Sequence, residues 1–294
     1  MQQRLIFILL FSLFTTVVFS QQKKSKVGVK LGLNTFRFLG PTEALENETF
    51  SYSSGFEFSL NYTYYLTYFL GFRAELAYLQ RGSNRTYVGD SYAIIKTFEG
   101  QHVEEGKGEL TIDYSLGYVS FPFSVVVHPI SKIELFGGVS FDLMVSPIGS
   151  GNYKFTSRDN PDKIFFRQSL EHKYKSDVAG FFNTLPGSIS IILTGEDGEE
   201  ENIAIPKSVG AYYYYDEEIT DSFFNWFDIG LHAGASYYIN PGLFLGLKVN
   251  YNLFDLTNQE FDNSQEKLNE DGSFITRNDN DTSFGFTAFF GFRF

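Results

Sequence analysis

The 294-residue chain contains no cysteine, which excludes disulfides and thiolate metal sites. Positive charge is also short: 23 Lys and Arg face 35 Asp and Glu, for a formal net charge of −12. Phosphate contacts need clustered Lys and Arg, so nucleic acid is set aside as a partner. The chain has no apolar run of about 20 residues, the length a helix needs to cross a bilayer. Histidine is scarce, with four in the whole sequence, which leaves few candidate general bases.

What is plentiful is aromatic or small: 34 Phe, 19 Tyr and 27 Gly. At the N-terminus, Arg4 precedes an apolar stretch, Leu5 to Phe19, which ends at Val18-Phe19-Ser20 and gives way to Gln21-Gln22-Lys23-Lys24. A positive start, an apolar stretch of about 15 residues and a polar exit are the parts of a cleavable signal peptide, since such a stretch is short for a spanning helix. The expected organisation is a leader over 1–20, cleaved after Ser20, and one domain over 21–294.

Beyond Lys26 the hydrophobic period is two, and it recurs in eight segments: 27–37, 55–64, 68–80, 110–128, 132–145, 225–239, 243–254 and 282–294. In the first, Val27, Val29, Leu31 and Leu33 share a face opposite Gly28, Lys30, Gly32 and Asn34. In the fourth, Leu110, Ile112 and Tyr114 occupy one parity, whereas Phe121, Phe123, Val125 and Val127 occupy the other, which predicts a β-bulge near Gly117. Tight turns follow the second, fourth and sixth segments, and long polar stretches at 38–54, 81–109, 146–224 and 255–281 follow the others. Short turns on one side and long loops on the other are the pattern of an all-β, eight-stranded antiparallel transmembrane β-barrel with periplasmic termini and long extracellular loops. The expected setting is the outer membrane of a Gram-negative cell.

Alternation alone does not say which face is outside. Glycine decides it, because Gly28, Gly32, Gly55, Gly71, Gly138, Gly230, Gly234, Gly246, Gly285 and Gly291 lie on the polar phase, with Gly137 the exception. The interior of an eight-stranded barrel only just accommodates side chains, so the phase rich in glycine is predicted to face inward and the Phe, Tyr and Leu phase to face lipid. The inner face then carries a charge network: Lys30, Arg73, Lys248 and Arg293 among Glu57, Glu75, Asp113, Glu134, Asp142 and Asp228, with His232 beside them. Paired ions in a packed lumen predict a plug of side chains. Phe290, Phe292 and Phe294 close the chain with alternating aromatics, the expected signal for the outer-membrane assembly machinery.

Val27-Gly28-Val29-Lys30-Leu31-Gly32-Leu33-Asn34, Tyr118-Val119-Ser120-Phe121-Pro122-Phe123, Phe136-Gly137-Gly138, Phe227-Asp228-Ile229-Gly230 with Gly234, and Gly291-Phe292-Arg293-Phe294 form a further set of motifs. Together they resemble the PorT type of small outer-membrane β-barrel proteins. The likeness covers the strands and not the loops, and the long third loop departs from the compact form. The resemblance implies an accessory role in protein secretion for some members, with an envelope or secretion protein as partner, and supplies no catalytic pattern. A narrow channel for small solutes is the alternative, and a lipid-modifying barrel enzyme a distant third.

For chemistry, His232 with Asp228 and Ser140 is the best available nucleophilic set, but it lacks any spacing signature, and no catalytic residue and no cofactor is predicted. Carboxylates at Glu196 to Glu201 and at Asp279-Asn280-Asp281 invite comparison with calcium loops, yet neither has ordered ligand spacing, and no metal is predicted. Within the third loop, Ile189 to Leu193 and Ile203 to Ile205 flank the acidic stretch and predict a hairpin. Tyr212 to Tyr215, Asp216-Glu217-Glu218, Phe181, Phe182, Phe223 and Trp226 predict an aromatic and acidic surface on the loop side.

Overall fold

The computed structural model describes residues 24–43, 48–97, 100–180, 188–194, 199–215 and 221–294. The expected leader, the acidic hairpin tip at 195–198, Phe181, Phe182 and 216–218 lie outside these residues. Eight long strands carry the fold: β1 (Ser25–Leu39), β2 (Glu48–Tyr65), β3 (Leu70–Lys96), β4 (Gln101–Ile130), β5 (Ile133–Ser157), β10 (Phe227–Tyr238), β11 (Leu243–Asn252) and β14 (Thr282–Arg293). Between them lie the short strands β6 (Phe165–Lys173), β7 (Ser188–Thr194), β8 (Glu200–Pro206), β9 (Ser208–Val209), β12 (Asn263–Leu268) and β13 (Phe274–Thr276).

Each long strand pairs antiparallel with two others, in the order β1-β2-β3-β4-β5-β10-β11-β14, and β14 pairs back onto β1. The pairing therefore forms a ring of eight hydrogen-bonded strands, which leaves none of the eight with an unpaired edge over its ring portion. The tight turns after β2, β4 and β10 lie at one end, where β1 also starts and β14 stops, as Gly28 opposite Arg293 shows. Large apolar side chains point away from the ring: Leu33 is 75% and Leu247 68% exposed, and Phe58, Phe72, Phe123, Leu135 and Phe290 are exposed with them. A continuous belt of this kind marks contact with an apolar medium, not with water.

The inward placement of glycine has an atomic reason. A Cβ on Gly246 would lie 2.3 Å from Phe289 Cζ, and one on Gly291 would lie 2.4 Å from Phe244 Cζ. Inward glycines thus make room for inward rings, and Val126, Phe136, Tyr238, Phe244 and Phe289 form a buried cluster near the short-turn end.

Three expectations are corrected. The segments 38–54 and 81–109 are largely strand, with β3 running to Lys96 and β4 starting at Gln101, and β5 continues to Ser157 before β6 adds to it. Strict alternation stops where the outward face no longer meets lipid, so a reading by period ends the strands too early. Second, the irregularity at Gly117 is real but the extra residue is Val145: Gly117 pairs with Ser146 and Tyr118 with Met144. β4 keeps its even residues inward throughout, so Leu110, Ile112 and Tyr114 are buried while Phe121, Phe123 and Val125 face out. Third, Tyr212 and Tyr213 are buried rather than displayed, and Tyr214, Tyr215 and Phe223 pack against the same core. Trp226 alone of the described members of that set is strongly exposed, at 69%. The predicted loop hairpin is present as β7 and β8, paired from Ser188 with Pro206 to Thr194 with Glu200.

Candidate functional site

The inner face holds the charges in successive buried pairs. Nearest the short-turn end, Arg73 Nη2 donates to Glu134 Oε1 at 2.6 Å, and Glu134 also accepts from the Tyr238 hydroxyl at 2.8 Å. His128 Nε2 and Arg293 Nη1 lie 3.3 and 3.8 Å from the same carboxylate. Lys30 pairs with Glu75, and Lys248 donates to both oxygens of Glu57 at 2.7 Å. Farther along, Arg81 bridges Asp142 and Asp228, the latter at 3.2 Å, with its guanidinium 4.3 Å from the centre of the Tyr118 ring. His232 Nε2 and Ser124 Oγ share a 2.8 Å hydrogen bond.

Ten of the eleven predicted network residues therefore line the lumen in contact with a partner; Asp113 does not. Because β4 does not change parity, Asp113 is exposed on the outer surface, where it accepts from Ser53 Oγ at 2.9 Å. The sequence reading missed Arg81, whose signal was available: it continues the odd phase of Arg73 and Glu75 one step past the assumed end of the strand. The nucleophilic set is not assembled, since Ser140 donates to Asp142 at 3.0 Å, Asp228 takes Arg81, and His232 takes Ser124.

Above the charged layers the extended parts of β3, β4 and β5 rise into a crown with its own core, in which Leu116, Ile112, Tyr114, Tyr174, Phe224 and Phe261 pack together. A second cluster fixes the β7–β8 hairpin, through Ile191 and Ile203, to Ile95, Phe155 and Phe166. Inside the crown lies a cavity of about 180 Å³, lined by aromatic and aliphatic side chains and by Arg85, Arg277, Asp262 and Asp281. The charges there are unevenly matched. Arg85 Nε donates to Glu48 Oε1 at 2.6 Å, and Arg277 reaches Asp279 at 2.7 Å, Glu48 at 3.3 Å and Asp262 at only 3.8 Å.

Carboxylate oxygens of Asp262, Asp279 and Asp281 lie within 4.8 Å of one another; Asp279 and Asp281 belong to the stretch compared with calcium loops, and Asp262 joins them only in the fold. Burial and the neighbouring Asp279 push Asp262 up to about 7, and burial with Asp279 pushes Asp281 up to about 6. Elsewhere in the crown, burial lowers His172 to about 4, and its Nδ1 shares a 2.9 Å hydrogen bond with the Tyr174 hydroxyl.

The ring, its apolar exterior and its paired lumen agree with the outer membrane protein beta-barrel domain, whose family pattern matches residues 19–258. The chain belongs to that family. Outer-membrane β-barrel proteins are defined by where they reside, so this barrel is located in the outer membrane. Among solved structures, the chain is similar to Ail, the attachment invasion locus protein of Yersinia pestis, with 13% identity over 92% of this chain and 99% of that one, at a TM-score of 0.36. It is also similar to Neisserial surface protein A, with 9% identity over 91% and 97% at 0.35, and to OprG from Pseudomonas aeruginosa, with 10% identity over 93% and 97% at 0.30. At such scores the likeness carries no residue correspondence and no function. No curated protein matches the sequence.

Proposed function

We propose that this outer-membrane barrel is closed to solutes and acts as an interaction or secretion-accessory component through its crown, with the short turns toward the periplasm and the crown outside the cell. One observation carries the reading: Arg73, Lys30, Lys248 and Arg81 are each buried inside the ring and bound to a carboxylate, and the crown core lies over them. Buried pairs of this kind tolerate little water, because separating either partner leaves an uncompensated charge. A crown built on its own hydrophobic clusters is a rigid display surface, the arrangement a binding component needs. The strand motifs that resemble PorT-type proteins support the secretion-accessory version. Phe290 and Phe292 on β14 and Phe294 just beyond it are exposed, which leaves them open to the assembly machinery. The proposal includes no catalytic role.

The test is single-channel recording of the refolded protein in planar bilayers, for the full chain and for a variant lacking 188–206. We expect no steady conductance from either. A stable open level in the full chain would overturn the closed reading and make a narrow solute channel the better one.

A further inference from the structure

We propose that the crown cavity binds a small organic cation, an amine or ammonium group carried on one aromatic or comparably sized apolar body. Such binding is independent of whether the lumen conducts. A cavity of about 180 Å³ is slightly larger than the roughly 150 Å³ space that admits benzene in an engineered protein core. One ring with a short aminoalkyl arm fits that volume.

The walls select for apolar bodies with a polar head. Tyr215, Phe261 and Phe274 stand together on one side, with ring centres 5.2 Å apart for Tyr215 and Phe261 and 5.0 Å for Tyr215 and Phe274. Leu110 and Leu170 add aliphatic surface. Aromatic walls attract cations through the negative face of the ring, and Phe50, also in the wall, already has the Arg85 guanidinium 5.9 Å from its centre.

Charge then fixes the sign. Two arginines, Arg85 and Arg277, face four carboxylates, Glu48, Asp262, Asp279 and Asp281. Glu48 and Asp279 take the close contacts, so Asp262 is left at 3.8 Å from Arg277 and Asp281 has no ion-pair partner within 4 Å among the described residues. Both line the cavity and both are more than nine-tenths buried. Asn263, equally buried and in the same wall, gives its Nδ2 to the Tyr215 hydroxyl at 3.0 Å, while its Oδ1 has no hydrogen-bond partner among the described residues. Two carboxylates short of a cation and an amide oxygen short of a donor are what an ammonium group satisfies, with its charge and several N–H bonds together.

A divalent metal ion is the competing occupant. It would sit among Asp262, Asp279 and Asp281, but the Arg277 guanidinium is already bonded to Asp279 at 2.7 Å within that group and would repel a second compact charge. An ion would also leave the apolar volume unused.

The experiment is isothermal titration of the full-length protein, refolded in detergent at pH 8, with four probes: phenethylammonium, the neutral 2-phenylethanol, the anionic 3-phenylpropionate and calcium chloride. We expect saturable 1:1 binding of phenethylammonium, at least tenfold weaker binding of 2-phenylethanol and none of 3-phenylpropionate. The Asp262→Asn/Asp281→Asn variant should lose at least tenfold for the amine. Leu170→Trp, which fills the cavity and leaves every carboxylate in place, should abolish binding and keeps the test open if the double variant does not fold. Equal binding of alcohol and amine would overturn the proposal in favour of an uncharged apolar pocket. Calcium binding that excludes the amine would overturn it in favour of a metal site, and absence of amine binding would overturn it outright.

Discussion

Removing Arg81 gives the sharpest test of the plugged lumen. Its side chain is buried, bridges Asp142 and Asp228, and rests on Tyr118, and those two aspartates are direct cross-strand partners on β5 and β10. Arg81→Ala therefore leaves two like charges opposite each other with their shared cation gone. Breaking a buried pair by deleting one member costs about 3 to 5 kcal/mol. Asp142 would retain donors from Ser120, Ser140 and Asn252, and Asp228 would retain the Phe254 N–H at 3.3 Å, which places the expected loss near the lower figure. A loss of about 3 kcal/mol is roughly a hundredfold in the folding equilibrium. The assay is reversible urea unfolding in detergent micelles, read by the mobility difference between folded and heated protein on a gel and by Tyr118-proximal fluorescence quenching. Arg81→Ala/Asp142→Asn, which removes the like-charge opposition, should recover part of the loss. Asp113→Ala on the outer surface should change stability by less than about 0.5 kcal/mol. If Arg81→Ala costs less than about 1 kcal/mol, the aspartates are hydrated, the lumen is wet, and the argument for a plug fails.

Other outcomes follow from the same geometry. Gly246→Val places a branched side chain where Phe289 already sits 2.3 Å from the first added carbon, so it should cost about 1 to 3 kcal/mol by overpacking, and Phe289→Ala in the same chain should relieve it in the same unfolding assay. Ile191→Ala removes a fully buried contact that holds the β7–β8 hairpin to the crown, and limited proteolysis should cut within 188–206 sooner while the barrel's gel mobility is unchanged. The crown should also respond to pH. Asp262 and Asp281 hold protons to about 7 and about 6, whereas an unfolded Asp releases its proton near about 4. The folded crown then binds more protons than the unfolded chain from roughly pH 4 to 7, so its stability falls as pH rises through that window. Proteolysis of 257–281 should accelerate from pH 5 to pH 8, and a flat profile would show that these carboxyls do not titrate as described.

Much of the barrel was written in the one-dimensional pattern, because lipid imposes a strict rule on it. Wherever a strand crosses an apolar medium, alternate side chains must be apolar, and Leu31, Phe58, Phe72, Phe123, Leu247 and Phe290 keep that rule without tertiary help. The same constraint placed Lys30, Glu57, Arg73, Glu75, Glu134 and Lys248 on the inner face, since a charge on the other phase would meet lipid. Who pairs with whom was not determined by this pattern: Lys248 meets Glu57, 191 positions away, through ring closure that no local period encodes. Outside the lipid the rule lapses. In the crown either face of a strand is free to be polar or apolar, so 81–96 and 101–109 read as loop although they are paired strand, and because the extra residue lies in β5 at Val145 and not in β4, the unbroken parity of β4 turns Asp113 outward. The cavity belongs wholly to that second regime. Glu48, Arg85, Asp262, Arg277 and Asp281 come from strands and loops that only the folded crown brings together, and their unequal pairing arises from that assembly, which no sequence period records.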